Sequence, residues 1–165
     1  MKKLFYISVI ILLLQPAVFL ADWYIYRDKV PFLAPVAQKE LQIRNDNYGN
    51  GHFGARRSGG RTHRGIDISA PLGIQVTASK GGRVITAYQK HGMGMYVIIN
   101  HPKKLSTLYG HLSKVLVKNN AKVKQGEVIG LVGKTGNANY RQMKTHLHFE
   151  VRDDGEYLDP EDFLR

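Results

Sequence analysis

The sequence predicts an all-β protein, an antiparallel two-sheet sandwich or open barrel. Three observations lead there. Seventeen glycines in 165 residues place turns at close intervals, which favours short strands over helices. From residue 51 onward, short runs alternate with those turns, as strands do. The connections are too short to carry a crossover, so neighbouring strands must run antiparallel.

The chain opens differently. Lys2 and Lys3 precede an uncharged apolar run at residues 4–14, and after Gln15-Pro16 the apolar character resumes to Ala21. A basic start followed by an apolar stretch is the pattern of an export signal. Residues 4–21 also approach the lower limit of about 18–20 apolar residues for crossing a bilayer, so a cleaved signal and an uncleaved anchor helix both fit residues 1–21. Either places the remainder outside the cytoplasm, in the periplasm or cell envelope.

Residues 22–50 read as a connector. Trp23-Tyr24-Ile25-Tyr26 suits a membrane interface or packing on the domain. Pro35 ahead of residues 36–44 permits a short helix with proline in its first turn. Residues 45–51 are a loop by composition. The domain proper is placed at 51–165.

Within it, runs at 73–78 and 83–88 flank Lys80-Gly81-Gly82, a plausible hairpin turn. Runs at 95–99 and 105–109 flank a second turn. Further runs occupy 115–117 and 128–133. The last strand, beginning at His146, ends at Asp153-Asp154-Gly155.

That last strand, His146-Leu147-His148-Phe149-Glu150-Val151-Arg152, carries the chemistry. Alternation puts His146, His148, Glu150 and Arg152 on one face, and Leu147, Phe149 and Val151 on a face suited to a core. At a rise of about 3.3 Å per residue the two histidine Cα atoms lie about 6.6 Å apart, close enough to serve one small site. A solvated strand face is the alternative reading of that pair. Two other stretches hold residues of the same chemistry. His63-Arg64-Gly65-Ile66-Asp67 pairs an imidazole with a carboxylate. A straight strand would hold their Cα atoms about 13 Å apart, so the segment must bend, and Gly65 is where it can. Tyr109-Gly110-His111-Leu112 ends an apolar strand in a histidine.

Composition narrows the function. There is no cysteine, so neither disulfides nor thiolate metal sites exist, and any metal site must use His, Asp and Glu. The formal charge of +11 predicts attraction to anionic polymers or surfaces. No nucleic-acid motif is present and the aromatics do not interleave with a basic stripe, so nucleic acid is not an expected partner.

Together these stretches resemble the lysostaphin-type zinc metallopeptidases that cut peptide bonds in peptidoglycan. The resemblance covers residues 51–151 and rests on Phe53-Gly54-Ala55-Arg56, His63-Arg64-Gly65-Ile66-Asp67-Ile68-Ser69-Ala70-Pro71, Gly82-Arg83-Val84, Tyr109-Gly110-His111-Leu112 and His146-Leu147-His148-Phe149-Glu150. It implies one zinc per chain bound by His63, Asp67 and His148, with His111 and His146 facing the reacting carbonyl. It also implies a groove ringed by loops and a peptidoglycan peptide as substrate. Where the family has a short loop with Gly-Pro, this chain has the longer 137–145, which bears on substrate preference. A non-catalytic domain of the same fold that binds or regulates wall hydrolases is the alternative function.

The chemistry agrees with that implication. Two histidines and a carboxylate form a catalytic zinc set with a fourth position open to water. His111 and His146 can act as general base or as donors to a developing oxyanion, in either assignment. Glu150 is expected to support a ligand from behind or to form a salt bridge. His52, His91 and His101 are expected at the surface, and the protein is expected to be monomeric.

Overall fold

The computed structural model of the protein describes residues 32–38 and 40–164. The expected export segment at 1–21 and the aromatic stretch at 23–26 lie outside the described residues. Twelve strands follow one another: β1 (Asn45–Asp46), β2 (Gly49–Asn50), β3 (Ile66–Ser69), β4 (Gln75–Thr77), β5 (Gly82–Gln89), β6 (Gly94–Asn100), β7 (Leu105–Leu112), β8 (Lys114–Val115), β9 (Lys122–Val123), β10 (Val128–Leu131), β11 (His146–Asp153) and β12 (Glu156–Leu158). Short 3-10 turns occupy Ser58–Gly60, Gly136–Ala138 and Pro160–Asp162. Among the described residues there is no α-helix, and every strand pairing is antiparallel.

One sheet of seven strands runs β12-β11-β7-β6-β5-β9, with β3 on the same edge of β11 as β12; a second sheet runs β4-β10-β8. The core lies between them. The large sheet contributes Leu147, Phe149, Val151, Tyr109, Leu112, Val97, Ile99, Val84, Ile66 and Ile68, the small one Val76 and Ile129. The strand alternation read from the sequence is therefore obeyed along β11, where Leu147, Phe149 and Val151 are fully buried. Truncating Phe149, which packs on Tyr109 with ring centroids 5.3 Å apart, to alanine is expected to cost about 3–5 kcal/mol.

Three local expectations are corrected. The stretch 45–51, expected as a loop, holds the β1–β2 pair, with Asn45 opposite Asn50 and Asp46 opposite Gly49. The runs around Lys80-Gly81-Gly82 do not form a hairpin: β4 pairs with β10, whereas β5 pairs with β6 and β9. Val76 and Val84 are both fully buried, one from each sheet, so the segment between them carries the chain across the core instead of folding it back. The expected short helix after Pro35 is also absent among the described residues. Val36 bridges to Val76 and Ile43 to Ile68, Ser69 N–H donates to Gln42 O (2.8 Å), and Arg44 N–H donates to Asp67 O (2.7 Å). One edge of β3 is taken by β11. The other carries buried backbone groups that need partners, and an extended segment meets them where a helix would spend its own on itself.

Candidate active site

The site lies on the outer face of the large sheet, where β3, β11 and β7 run side by side. Asp67 sits opposite His148 across the β3–β11 pair, and Gly110 sits opposite His148 across the β7–β11 pair. Gly110 leaves the row open, since a Cβ there would lie 3.4 Å from His148 Cβ. His63 joins from the segment before β3, which bends at Gly65 as anticipated. The reason differs from the one expected. Gly65 is required because a Cβ would approach Phe149 O to 2.3 Å, so only glycine lets the chain pass close enough to β11 to turn His63 over Asp67.

His111 arrives by another device. Simple alternation from core-facing Tyr109 would point residue 111 into the core as well. The register of β6 and β7 steps from Val97↔Tyr109 to Met95↔Leu112, so Gly110 and His111 together face Tyr96. This is a β-bulge, which re-aims the side chains it contains, and His111 accordingly has φ +62°. Thr135 secures it: its carbonyl accepts from His111 Nδ1 (2.9 Å), and its hydroxyl donates to Leu112 O (2.8 Å) and accepts from Met95 N–H (3.0 Å).

Five predicted residues thus converge, all buried, in two subsets. His63 Nε2, Asp67 Oδ1 and His148 Nδ1 form a triangle with sides of 3.1, 2.9 and 3.1 Å. Tetrahedral coordination at about 2.0–2.1 Å spaces ligand atoms roughly 3.3 Å apart, so the triangle needs only a few tenths of an ångström to admit zinc. The tautomers favour it too. His63 Nδ1 lies 2.9 Å from His52 O and His148 Nε2 lies 3.1 Å from Glu150 Oε1. Both partners only accept, so those nitrogens carry protons, which leaves His63 Nε2 and His148 Nδ1 as the positions beside the carboxylate that a further proton or a metal can take. Three acceptors pointing at one spot call for a cation. Proton or metal can answer, and the donor set of two imidazoles and one carboxylate suits zinc.

The second subset is His111 and His146, with ring centroids 5.1 Å apart. His146 Nδ1 donates to Lys144 O (2.7 Å), as His111 Nδ1 does to Thr135 O. In both rings Nε2 is the unprotonated atom, and His146 Nε2 stands 3.9 Å from Asp67 Oδ1.

Electrostatics separates the subsets. Burial alone would lower the His148 pKa, but hydrogen bonds to Asp67 and Glu150 and their charges outweigh it and raise the group to about 9. Burial, followed by the charges of His148 and His146, pushes His111 down to about 3, and burial also lowers His146. Burial would raise the Asp67 carboxyl, yet hydrogen bonds from His148 and His63 hold it well below the usual carboxylate range. Glu150 is lowered likewise: its bond to His148 and its ion pair with Arg152 overcome its burial.

Glu150, expected to support a ligand or to form a salt bridge, contacts His148 and pairs with Arg152, but two arginines were missed. Arg44 Nη2 (2.9 Å) and Arg57 Nη2 (3.0 Å) both bind Asp67 Oδ2, leaving Oδ1 to the histidines. Arg44 comes from the connector, where no local signal links it to Asp67. His101, expected at the surface, is buried; its ring bridges Gly81 O (2.8 Å) and Thr107 Oγ1 (2.9 Å). His52 and His91 are exposed as expected.

A groove of about 1020 Å³ runs over the five residues. Asn137, Tyr140 and Met143 form one wall, so the 137–145 loop does border the site. It is pinned by Asn137 N–H to Gly92 O (2.8 Å) and by Tyr140 stacking on Tyr48 at 5.4 Å. The turn from Arg57 to Arg64 also lines the groove.

Residues 61–160 match the model of Peptidase family M23. Over 100 residues the chain is 42% identical to the DD-carboxypeptidase/endopeptidase Mpg of Neisseria meningitidis serogroup B, a stretch that is 61% of this chain and 22% of that protein. It superposes with a TM-score of 0.66 and 32% identity on the crystal structure of a zinc-containing peptidase from Vibrio cholerae, covering 79% of this chain and 39% of that one. The catalytic domain of lysostaphin from Staphylococcus simulans gives 0.58 and 29%, covering 71% and 89%. The chain therefore belongs to Peptidase family M23, and it spans about a fifth of the length of the curated relatives it matches first.

Proposed function

We propose that this M23 family chain is a zinc-dependent endopeptidase that hydrolyses peptide bonds in the stems or cross-links of peptidoglycan. One observation carries the reading: two imidazole lone pairs and a carboxylate oxygen, with tautomers fixed from behind, converge within about 3 Å of one another beneath an open groove. His63, Asp67 and His148 would hold the metal. Zinc there supplies a Lewis acid that polarises a carbonyl and makes water easier to deprotonate.

The chain's own groups do the rest. His111 and His146 are neutral and offer Nε2 as proton acceptors, because each Nδ1–H is engaged by a backbone carbonyl. An imidazole that has taken the proton becomes a donor at the same atom, able to stabilise an oxyanion or protonate the leaving amine. Glu150, held by Arg152, fixes the His148 ring. Arg44 and Arg57 fix the Asp67 carboxylate.

The remaining proposals concern context. Residues 1–21 direct the domain to the envelope as a cleaved signal or an anchor, 22–50 connect, 51–165 form the catalytic unit, and the protein acts as a monomer. Its positive charge draws it to wall polymers. The deciding experiment combines metal analysis with a digest of purified peptidoglycan by the zinc-loaded protein, products being identified by mass. New amino termini in stems or bridges are expected. Sedimentation with the wall and no peptide release at any salt or pH would favour the binding or regulatory reading instead.

A further inference from the structure

We propose that Arg61 makes the groove selective for a peptide bearing a free carboxylate on the side of the 57–64 turn, an inference that rests on the peptide-hydrolase reading above. The argument begins with the charge of the groove. Four arginines line it (Arg44, Arg57, Arg61 and Arg64) against two carboxylates, Asp67 and Glu150. Both carboxylates are buried and engaged: Asp67 by Arg44 and Arg57, Glu150 by Arg152 and His148. The 137–145 loop contributes Asn137, Tyr140 and Met143 to the lining, and these carry no charge. Of the lining cations, Arg57, Arg61 and Arg64 belong to the 57–64 turn and Arg44 to the segment before β1.

The arginines are not equivalent. Arg44 divides its guanidinium between Asp46 and Asp67. Arg57 spends Nη1 on Asn50 O and Nη2 on Asp67. Arg64 lies against Tyr157, with its guanidinium carbon 4.9 Å from the ring centroid and Nη1 3.3 Å from the hydroxyl. Among the described residues, the Arg61 side chain makes a single hydrogen bond, Nε to Ser58 O at 3.2 Å, and it is exposed. That bond orients the planar group and leaves both Nη atoms open. A guanidinium held in this way presents parallel N–H donors matching the two oxygens of a carboxylate.

The backbone holds Arg61 in place. Arg57 N–H donates to Arg61 O (2.8 Å) and Arg56 bridges to Thr62, closing a tight turn through Ser58-Gly59-Gly60. Gly59 and Gly60 both have positive φ, 72° and 73°, and a Cβ at either would touch nothing. The glycines are thus there for conformation: two successive left-handed residues fix the turn that aims Arg61 at the groove. An amide in place of the carboxylate would set N–H donors against N–H donors, so the same wall should disfavour amidated peptides.

The test measures binding apart from turnover. Zinc-loaded full-length protein carrying His146→Ala is titrated with a synthetic wall stem tetrapeptide bearing free carboxylates, and with the same peptide fully amidated. The expected result is a preference of about 10-fold or more for the free acid. It should fall to about 2-fold or less with Arg61→Ala and with Arg61→Gln, which keeps a polar side chain if alanine perturbs the turn. Lys118→Ala, on the loop before β9 at the far edge of the sheet, should keep the preference. Equal binding of the two peptides, no measurable binding of either, a preference that survives both Arg61 variants, or one lost equally in Lys118→Ala would each overturn the proposal. Cleavage is assayed separately on the unsubstituted protein. Cleavage of both peptides with no binding preference sinks the carboxylate site and upholds the hydrolase; preference without cleavage does the reverse.

Discussion

His63 and His148 on one side, and His111 and His146 on the other, are two pairs of one side chain crowded onto one sheet face. His148 of the first pair and His111 of the second end in opposite chemical states. Both members of the first pair turn a ring nitrogen toward the Asp67 carboxylate at 2.9–3.1 Å. In the second pair the closest such approach is 3.9 Å, from His146. In the absence of metal this difference, with Glu150 behind His148, raises one ring to about 9 while burial takes His111 to about 3. Environments that drive titratable groups apart are how a site assigns separate roles to identical side chains. What each ring does is set by what touches its far nitrogen, and by whether a carboxylate faces its near one.

The largest expected effect comes from breaking the first pair. His148→Ala removes one of the three proposed ligands, and a catalytic zinc site normally has only three from the protein. Metal analysis of the purified variant should show zinc well below one per chain, with activity lost. Tightly held zinc at full stoichiometry would sink the assignment.

Breaking the second pair should leave the metal in place. His111→Ala and His146→Ala are each expected to retain zinc near one per chain while lowering kcat by about 10²–10⁴-fold, the usual contribution of a positioned acid or base. Metal content and steady-state rates measured on the same preparations check this. A variant of this pair that sheds its zinc would show that the two subsets are one.

How legible this division was depends on which residues supplied it. His146 and His148 could be placed on one face, and Leu147 and Phe149 on the other, because a strand's period of two is written directly in the sequence. The bend that brings His63 to Asp67 was anticipated, but its cause was not: the close approach of Gly65 to Phe149 O is a contact across more than eighty residues. The bulge at Gly110-His111 was invisible, since a bulge is a property of two strands in register and only one was being read. Arg44 was missed for the same reason. It lies in a segment read as a connector with a helix, and its extended form is dictated by the unpaired edge of β3. The 80–82 turn misled because a glycine-rich turn between apolar runs looks the same whether it closes a hairpin or crosses from one sheet to the other.

Acidity and alkalinity should sharpen the comparison in the metal-free protein. A raised histidine stabilises the fold fully below its unfolded pKa of about 6.5, and that contribution is lost as pH rises through about 9, the folded value of His148. His111 has the opposite sign: lowered to about 3, it subtracts stability progressively as pH falls below about 6.5. Asp67, held below the carboxylate range, adds a loss at still lower pH. Denaturant midpoints of the chelated protein should therefore decline between pH 6.5 and 9, and zinc should abolish that decline because it takes the place of the His148 proton. A decline of equal size with zinc bound would mean that some other group is responsible.

The smallest expected effect probes the support behind the first pair. Glu150 lies opposite Leu108 in the β11–β7 register and is almost fully buried. It accepts from His148 Nε2 at 3.1 Å and is clamped by Arg152, which itself lies 4.7 Å from the Tyr157 ring centroid. The carboxylate does two things for the ring: it fixes the tautomer with Nδ1 free for metal, and its charge makes that nitrogen a better donor. Glu150→Gln keeps the shape and, with its amide oxygen toward His148, keeps the tautomer, but it removes the charge and leaves Arg152 without its anion. Loss of such a partner typically weakens metal affinity by about 10–100-fold. Competition with a chromogenic chelator should place the variant in that range, between the unsubstituted protein and His148→Ala, while His111 and His146, which do not touch Glu150, keep their environment. Once saturated with zinc, the variant should recover most of its kcat. A kcat that stays low at saturating zinc would mean that Glu150 serves the second pair too, and the division between the pairs would then lie elsewhere on the strand.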